Sequence, residues 1–119
     1  MNSAEVEFLK AVELQPTEPM IHNNLGLIYM NKGEFDKAEE EYKKELELYP
    51  YYDNAHFNWG LLYFQRDEKE KAVEKWLVTY EINPDHMGAI QNLAIYYKDI
   101  EDVERANYFY QEYLKRVPQ

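Results

Sequence analysis

The chain has 119 residues with 13 Lys and Arg against 23 Asp and Glu, a formal net charge of −10, and no cysteine. That balance argues against nucleic acid as a partner, because phosphates need a basic stripe. The missing thiols exclude a disulfide framework, a cysteine nucleophile and a thiolate metal site, and leave the compartment undetermined, with the cytoplasm slightly favoured and a periplasmic or membrane-attached parent left open. No apolar run is long enough for a membrane-spanning helix and no leader-like segment precedes the rest, so no direct membrane contact is expected.

In chain order, residues 3–16 carry Ala4, Phe8, Ala11 and Pro16 at helical spacing and predict a lone half-unit that caps the molecule. From Pro19 to Asn31 the apolar residues Ile21, Leu25, Ile28 and Tyr29 predict a helix. A second is predicted from Phe35 to Leu48 on Phe35, Ala38, Tyr42 and Leu46, with Asn31-Lys32-Gly33-Glu34 as the turn between them. The same arrangement then returns. Ala4, Ala38, Ala72 and Ala106 recur at one constant interval, and Pro16, Pro50, Pro84 and Pro118 recur at the same interval. Leu25, Trp59 and Leu93 align on this period, as do Gly26, Gly60 and Ala94, the tyrosines 29, 63 and 97, and Phe8, Tyr42, Trp76 and Tyr110.

A chain periodic in this way is a stack of antiparallel helix pairs, each unable to bury its apolar faces alone. The fold class is therefore all-α, a solenoid with units over 19–52, 53–86 and 87–118 after the half-unit, forming one domain of about seven helices. Gly26 and Gly60 cost roughly 1 kcal/mol each in a helix interior relative to Ala, which implies a close approach, with Ala38 and Ala72 expected on its other side.

Asn24-Leu25-Gly26, Tyr29, Gly33, Ala38, Tyr42 and Pro50 resemble the tetratricopeptide repeat. Asn58-Trp59-Gly60, Tyr63, Ala72, Trp76 and Pro84 repeat the pattern, and so do Asn92-Leu93-Ala94, Tyr97, Ala106, Tyr110 and Pro118. The resemblance implies a right-handed superhelix acting as a non-catalytic adaptor, with a peptide or amphipathic helix held on a concave face lined by the first helix of each unit. Carried over by column, the groove comprises Met20, Asn23, Leu27, Met30 and Asn31 in the first unit. The second contributes Asn54, Phe57, Leu61, Phe64 and Gln65, and the third Gly88, Gln91, Ile95, Lys98 and Asp99. Side chains three and four apart share a helix face, so Phe57, Leu61 and Phe64 form an apolar stripe extended by Leu27, Met30 and Ile95. Leu61 and Ile95 read alternatively as inter-helix core. Members of the resembling family that grip a terminal carboxylate line this face with Lys, Arg and Asn. Lys98 is the only basic residue here, so that mode is disfavoured.

The net charge suits a basic or apolar protein or peptide partner. The acid-rich helix bearing Glu34, Asp36, Glu39, Glu40, Glu41, Glu45 and Glu47 reads first as a solvated outer face. Catalysis has little footing: Ser3 is the sole serine, only four glycines exist and no phosphate loop is formed, so neither an enzyme nor a cofactor is expected. His22 and His56 occupy equivalent places and read as helix-interface residues before they read, with Asp53, as a zinc site; His86, in the loop after Pro84, is expected to be exposed. The run Tyr49-Pro50-Tyr51-Tyr52 joins the first two units and offers one ring to solvent. At the far end Tyr97, Phe109 and Tyr113 are expected to be partly bare. Phe109 and Tyr113 then become candidates for self-association in a homo-oligomer, the alternative to a segment of a longer array.

Overall fold

The computed structural model describes residues 20–118, so the expected half-unit over 3–16 lies outside the described residues. Within them, six α-helices follow one another and no strand occurs: α1 (Ile21–Asn31), α2 (Phe35–Leu48), α3 (Asp53–Gln65), α4 (Lys69–Ile82), α5 (Met87–Asp99) and α6 (Val103–Leu114). α1 packs on α2, α3 on α4 and α5 on α6, while α2 against α3 and α4 against α5 join successive pairs.

The three turns inside the pairs share one construction. Gly33, Asp67 and Glu101 each take a positive φ (78°, 63° and 62°), and the next amide returns to a carbonyl of the preceding helix: Glu34 to Tyr29 at 2.9 Å, Glu68 to Tyr63 at 2.9 Å and Asp102 to Tyr97 at 2.9 Å. Carbonyls that the helix end leaves open are thereby satisfied.

What crowds Gly26 and Gly60 differs from expectation. A Cβ at Gly26 would lie 2.5 Å from Cε1 of Tyr42, and one at Gly60 would lie 2.5 Å from Nε1 of Trp76 and 3.1 Å from the Ala72 carbonyl oxygen. The glycines chiefly make room for the large aromatic ring of the partner helix. Fully burying such side chains contributes about 1.5–3 kcal/mol each, more than the helical penalty of glycine.

The core forms two clusters. Met30, Ala38 and Tyr42 meet Leu62 of α3, while Ala72, Val73 and Trp76 meet Ala89, Leu93, Tyr97 and Phe109. The acidic helix α2 is only partly a solvated face, because Glu41 and Glu45 are buried. Ala38, Glu41, Tyr42 and Glu45 lie at i, i+3, i+4 and i+7, the inward stripe of α2. There the Glu41 carboxylate meets His22 Nδ1 at 2.6 Å, and Glu45 Oε1 accepts the Asn23 backbone N–H at 3.1 Å. Met20, the N-cap of α1, takes φ 78° and provides no side-chain cap, so a carboxylate of the neighbouring helix supplies an acceptor that an N-cap residue ordinarily would.

The end of the last pair also departs from expectation. Phe109 is only 6% exposed and Tyr97 is buried, their rings stacked 5.9 Å apart, and Tyr113 is half-buried. One residue further round α6, Tyr110 is 52% exposed, although its period mates Tyr42 and Trp76 are buried.

Candidate functional site

Of the residues assigned to a concave groove, Leu61 and Phe64 of α3 and Ile95 of α5 come together. They line a cleft of about 320 Å³ shared with Asn92, Tyr96 and Asp99 and floored by Trp76. Phe64 is 46% exposed and Ile95 58%, whereas Leu61 is half-buried against both core clusters. The Phe64 ring lies 5.8 Å from the Trp76 ring, with Lys69 Nζ over its face at 5.8 Å. Asp99 and Lys69 place opposite charges on the rim of this apolar slot.

Other assigned residues lie elsewhere or serve packing. Asn23 and Met30 are buried: Asn23 accepts from Asn58 Nδ2 at 3.0 Å through Oδ1, and Met30 belongs to the first core cluster. Leu27 is half-buried against that cluster. Met20 lines a separate hollow with Leu48 and the run from Tyr49 to Tyr52, where Tyr51 is 81% exposed. Phe57 packs across the second junction between pairs, its ring 4.7 Å from that of His86. A Cβ at Gly88 would lie 2.7 Å from Phe57 Cζ, so this position needs glycine for a close approach. Asn54, Asn31, Gln65, Gln91, Lys98 and Asp99 are exposed. Lys98 and Ile95 also line a terminal cleft of about 890 Å³ with Val103, Ala106 and Tyr110.

The histidines have structural partners. His86 is the N-cap of α5 rather than a solvated loop residue: Nδ1 accepts the Ala89 amide at 3.1 Å, and Nε2 lies 2.8 Å from Asn54 Oδ1. His56 Nε2 lies 3.0 Å from the Pro50 carbonyl oxygen. Burial pulls the His56 imidazole below its ordinary value, and nearby Lys75 acts in the same direction. No group of three or more metal-ligating side chains occurs among the described residues. No described helix is long and apolar enough to cross a membrane.

A polar cluster at the junction of the first two pairs carries a perturbed carboxylate. Burial alone would raise the Glu39 carboxyl, but hydrogen bonds from Trp59 and Tyr63 and the Arg66 guanidinium outweigh it and hold the group below its ordinary value. Trp59 Nε1 donates to Glu39 at 3.0 Å, and Lys75 Nζ sits 3.9 Å above the Trp59 ring. Burial pulls the Lys75 amine down against the opposing pull of Glu74 and Glu39. Trp59 and Arg66 thus both direct hydrogen bonds to the Glu39 carboxylate.

A sequence profile of the tetratricopeptide repeat matches residues 19–52. Among solved structures, the fold superposes on the crystal structure of MamA protein with a TM-score of 0.79 at 24% identity, over 96% of this chain and 62% of that one. It also superposes on the MamA RS-1 ArsTM double mutant with a TM-score of 0.78 at 19% identity, over 94% of this chain and 63% of that one. The described residues share the all-α repeat fold of these structures, and residues 19–52 are similar to the tetratricopeptide repeat. No curated protein matches it. It spans somewhat over three fifths of the length of the solved chains it resembles. TPR-like repeats have the general architecture of a protein–protein interaction module, and no catalytic motif accompanies this one among the described residues.

The residues that sequence reading did not single out are Leu77, Ile100 and Tyr108. All three are exposed and line a second cleft, with Ile100 shared between it and the first. A signal for them existed: one period earlier stand Lys43, Arg66 and Glu74, so the repeat holds while the chemistry switches from charged to apolar.

Proposed function

We propose that this TPR-like module is a non-catalytic adaptor that receives a peptide or amphipathic helix in the cleft between α3 and α5. The supporting observation is the exposure of Phe64 and Ile95 around a recess floored by Trp76, an apolar slot with Asn92 and Asp99 beside it. Exposed apolar recesses with a polar rim are a usual form of protein-interaction surface. Phe64 and Ile95 are the residues to alter, because Phe57 and Leu61 also support the fold. In capture experiments from extracts, Phe64→Glu/Ile95→Glu is expected to lose a partner that the parent chain retains, with helicity and melting temperature preserved. Retention of the same partners by a folded double variant would remove the cleft from consideration.

A second reading is favoured by Tyr110, which is exposed with Val103 and Ala106 at the terminal cleft while Tyr42 and Trp76 are covered. This face could join another copy. A concentration-dependent mass that Tyr110→Glu abolishes would support it, and a monomer throughout would exclude it.

A further inference from the structure

Successive pairs meet twice, and the two junctions differ. At the first junction Arg66, the C-cap of α3, reaches back to α2, its Nη2 2.7 Å from Asp36 and its Nη1 3.4 Å from Glu39, with Lys75 of α4 lying over Trp59 of α3. One period further along, Glu39 becomes Val73, Lys43 becomes Leu77, Arg66 becomes Ile100, Glu74 becomes Tyr108 and Lys75 becomes Phe109. The Arg66 bridge has no counterpart at these positions; the polar contacts between α4 and α6 lie instead at Tyr80, whose hydroxyl donates to Glu112 at 3.0 Å and lies 3.0 Å from that of Tyr108. Between α4 and α6 there remains a cleft of about 760 Å³, floored by buried Val73, Tyr97 and Phe109 and walled by exposed Leu77, Ile100 and Tyr108. That volume lies within the range of roughly 300–1,000 Å³ typical of ligand sites.

Charge decides what can enter. Glu70, Asp102 and Glu104 edge this cleft against a single cation, Arg105. Arg105 is already held by Asp102 at 2.6 Å and lies over the Tyr97 ring at 5.8 Å. The rim is therefore net acidic around an apolar floor. It repels phosphate and anionic surfaces and attracts cations beside an apolar face.

We propose that the cleft between α4 and α6 docks a short basic amphipathic helix, its large apolar side chains seated on Val73, Tyr97 and Phe109 and its Lys or Arg residues meeting Glu70 and Glu104. The cleft shares Tyr96 and Ile100 with the α3–α5 cleft, but Leu77 and Tyr108 belong to this one and Phe64 and Ile95 to the other, so substitutions at those residues test the two readings separately.

The test pans a display library of short random peptides, long enough for four helical turns, on the parent chain and on Leu77→Lys/Tyr108→Glu. That variant installs the residues of the equivalent upstream positions, Lys43 and Glu74, and leaves the net charge unchanged. Leu77→Lys alone serves if the double variant shows reduced helicity. The expected result is enrichment on the parent of sequences with Leu or Phe at helical spacing beside Lys or Arg. Their affinity should fall about tenfold or more on the folded variant, and fall again as salt is raised. Enrichment of acidic or uncharged sequences, equal binding to both proteins, or no enrichment on the parent each overturns the proposal.

Discussion

Between the first two helix pairs, Arg66 reaches Asp36 and Glu39, the Trp59 indole donates to Glu39, and Lys75 covers the indole ring. Between the second and third pairs the equivalent places hold Ile100, Glu70, Val73, Leu93 and Phe109, the polar contacts move to Tyr80 with Glu112 and to His86 with Asn54, and a cleft stays open beside them. The backbone geometry tolerates both solutions. Repeat periodicity therefore specifies where helices meet, while non-periodic residues decide whether each junction is sealed or left open.

The largest expected effect lies at the apolar junction. Leu93 is fully buried, and Leu93→Ala should cost about 3 kcal/mol in denaturant unfolding, with little dependence on salt. At the polar junction Glu39→Val strips an acceptor from the Trp59 N–H and from Arg66. About 1–2 kcal/mol is expected. A double-mutant cycle with Arg66→Ile should recover part of the loss, because the two side chains share one network. Additive losses would mean that the bridge is incidental.

Acid separates the junctions more gently. The folded-state pKa of His56 lies below its ordinary 6.5. As pH falls through about 6.5 the unfolded chain takes up a proton that the folded chain refuses, so stability declines on the acid side. The equivalent position in the next unit is Ile90, fully buried. His56→Ile should therefore lose less stability than the parent between pH 7.5 and about 5.5, and an unchanged pH slope would show that His56 is not the responsible group. The smallest effect is expected from Ile100→Arg. This side chain is exposed, so melting should move by no more than about 0.5 kcal/mol equivalent, a tolerance that would show the open cleft is not needed for folding.

Most of the helical framework was legible from spacing alone: the segment expected from Phe35 to about Leu48 matches α2, and the one expected from Pro19 to about Asn31 covers α1. The site was less legible. Columns carried over by resemblance mixed solvent-facing residues such as Phe64 and Ile95 with Asn23 and Met30, which tertiary contacts bury. Glu41 and Glu45 were read by their charge, although their spacing with Ala38 and Tyr42 already placed them inward. Phe109 and Tyr110 show the resolution limit of a helical pattern, where a step of one residue, roughly 100°, separates core from surface.

The carboxylate of Glu45 that receives the Asn23 amide comes from 22 residues further along the chain. The first turn of α1 thus waits on the docking of α2 and cannot complete its hydrogen bonding by local means. Deuterium uptake at the Asn23 amide should consequently report the separation of two helices rather than the fraying of one, giving a single-residue gauge of cooperation within the first hairpin.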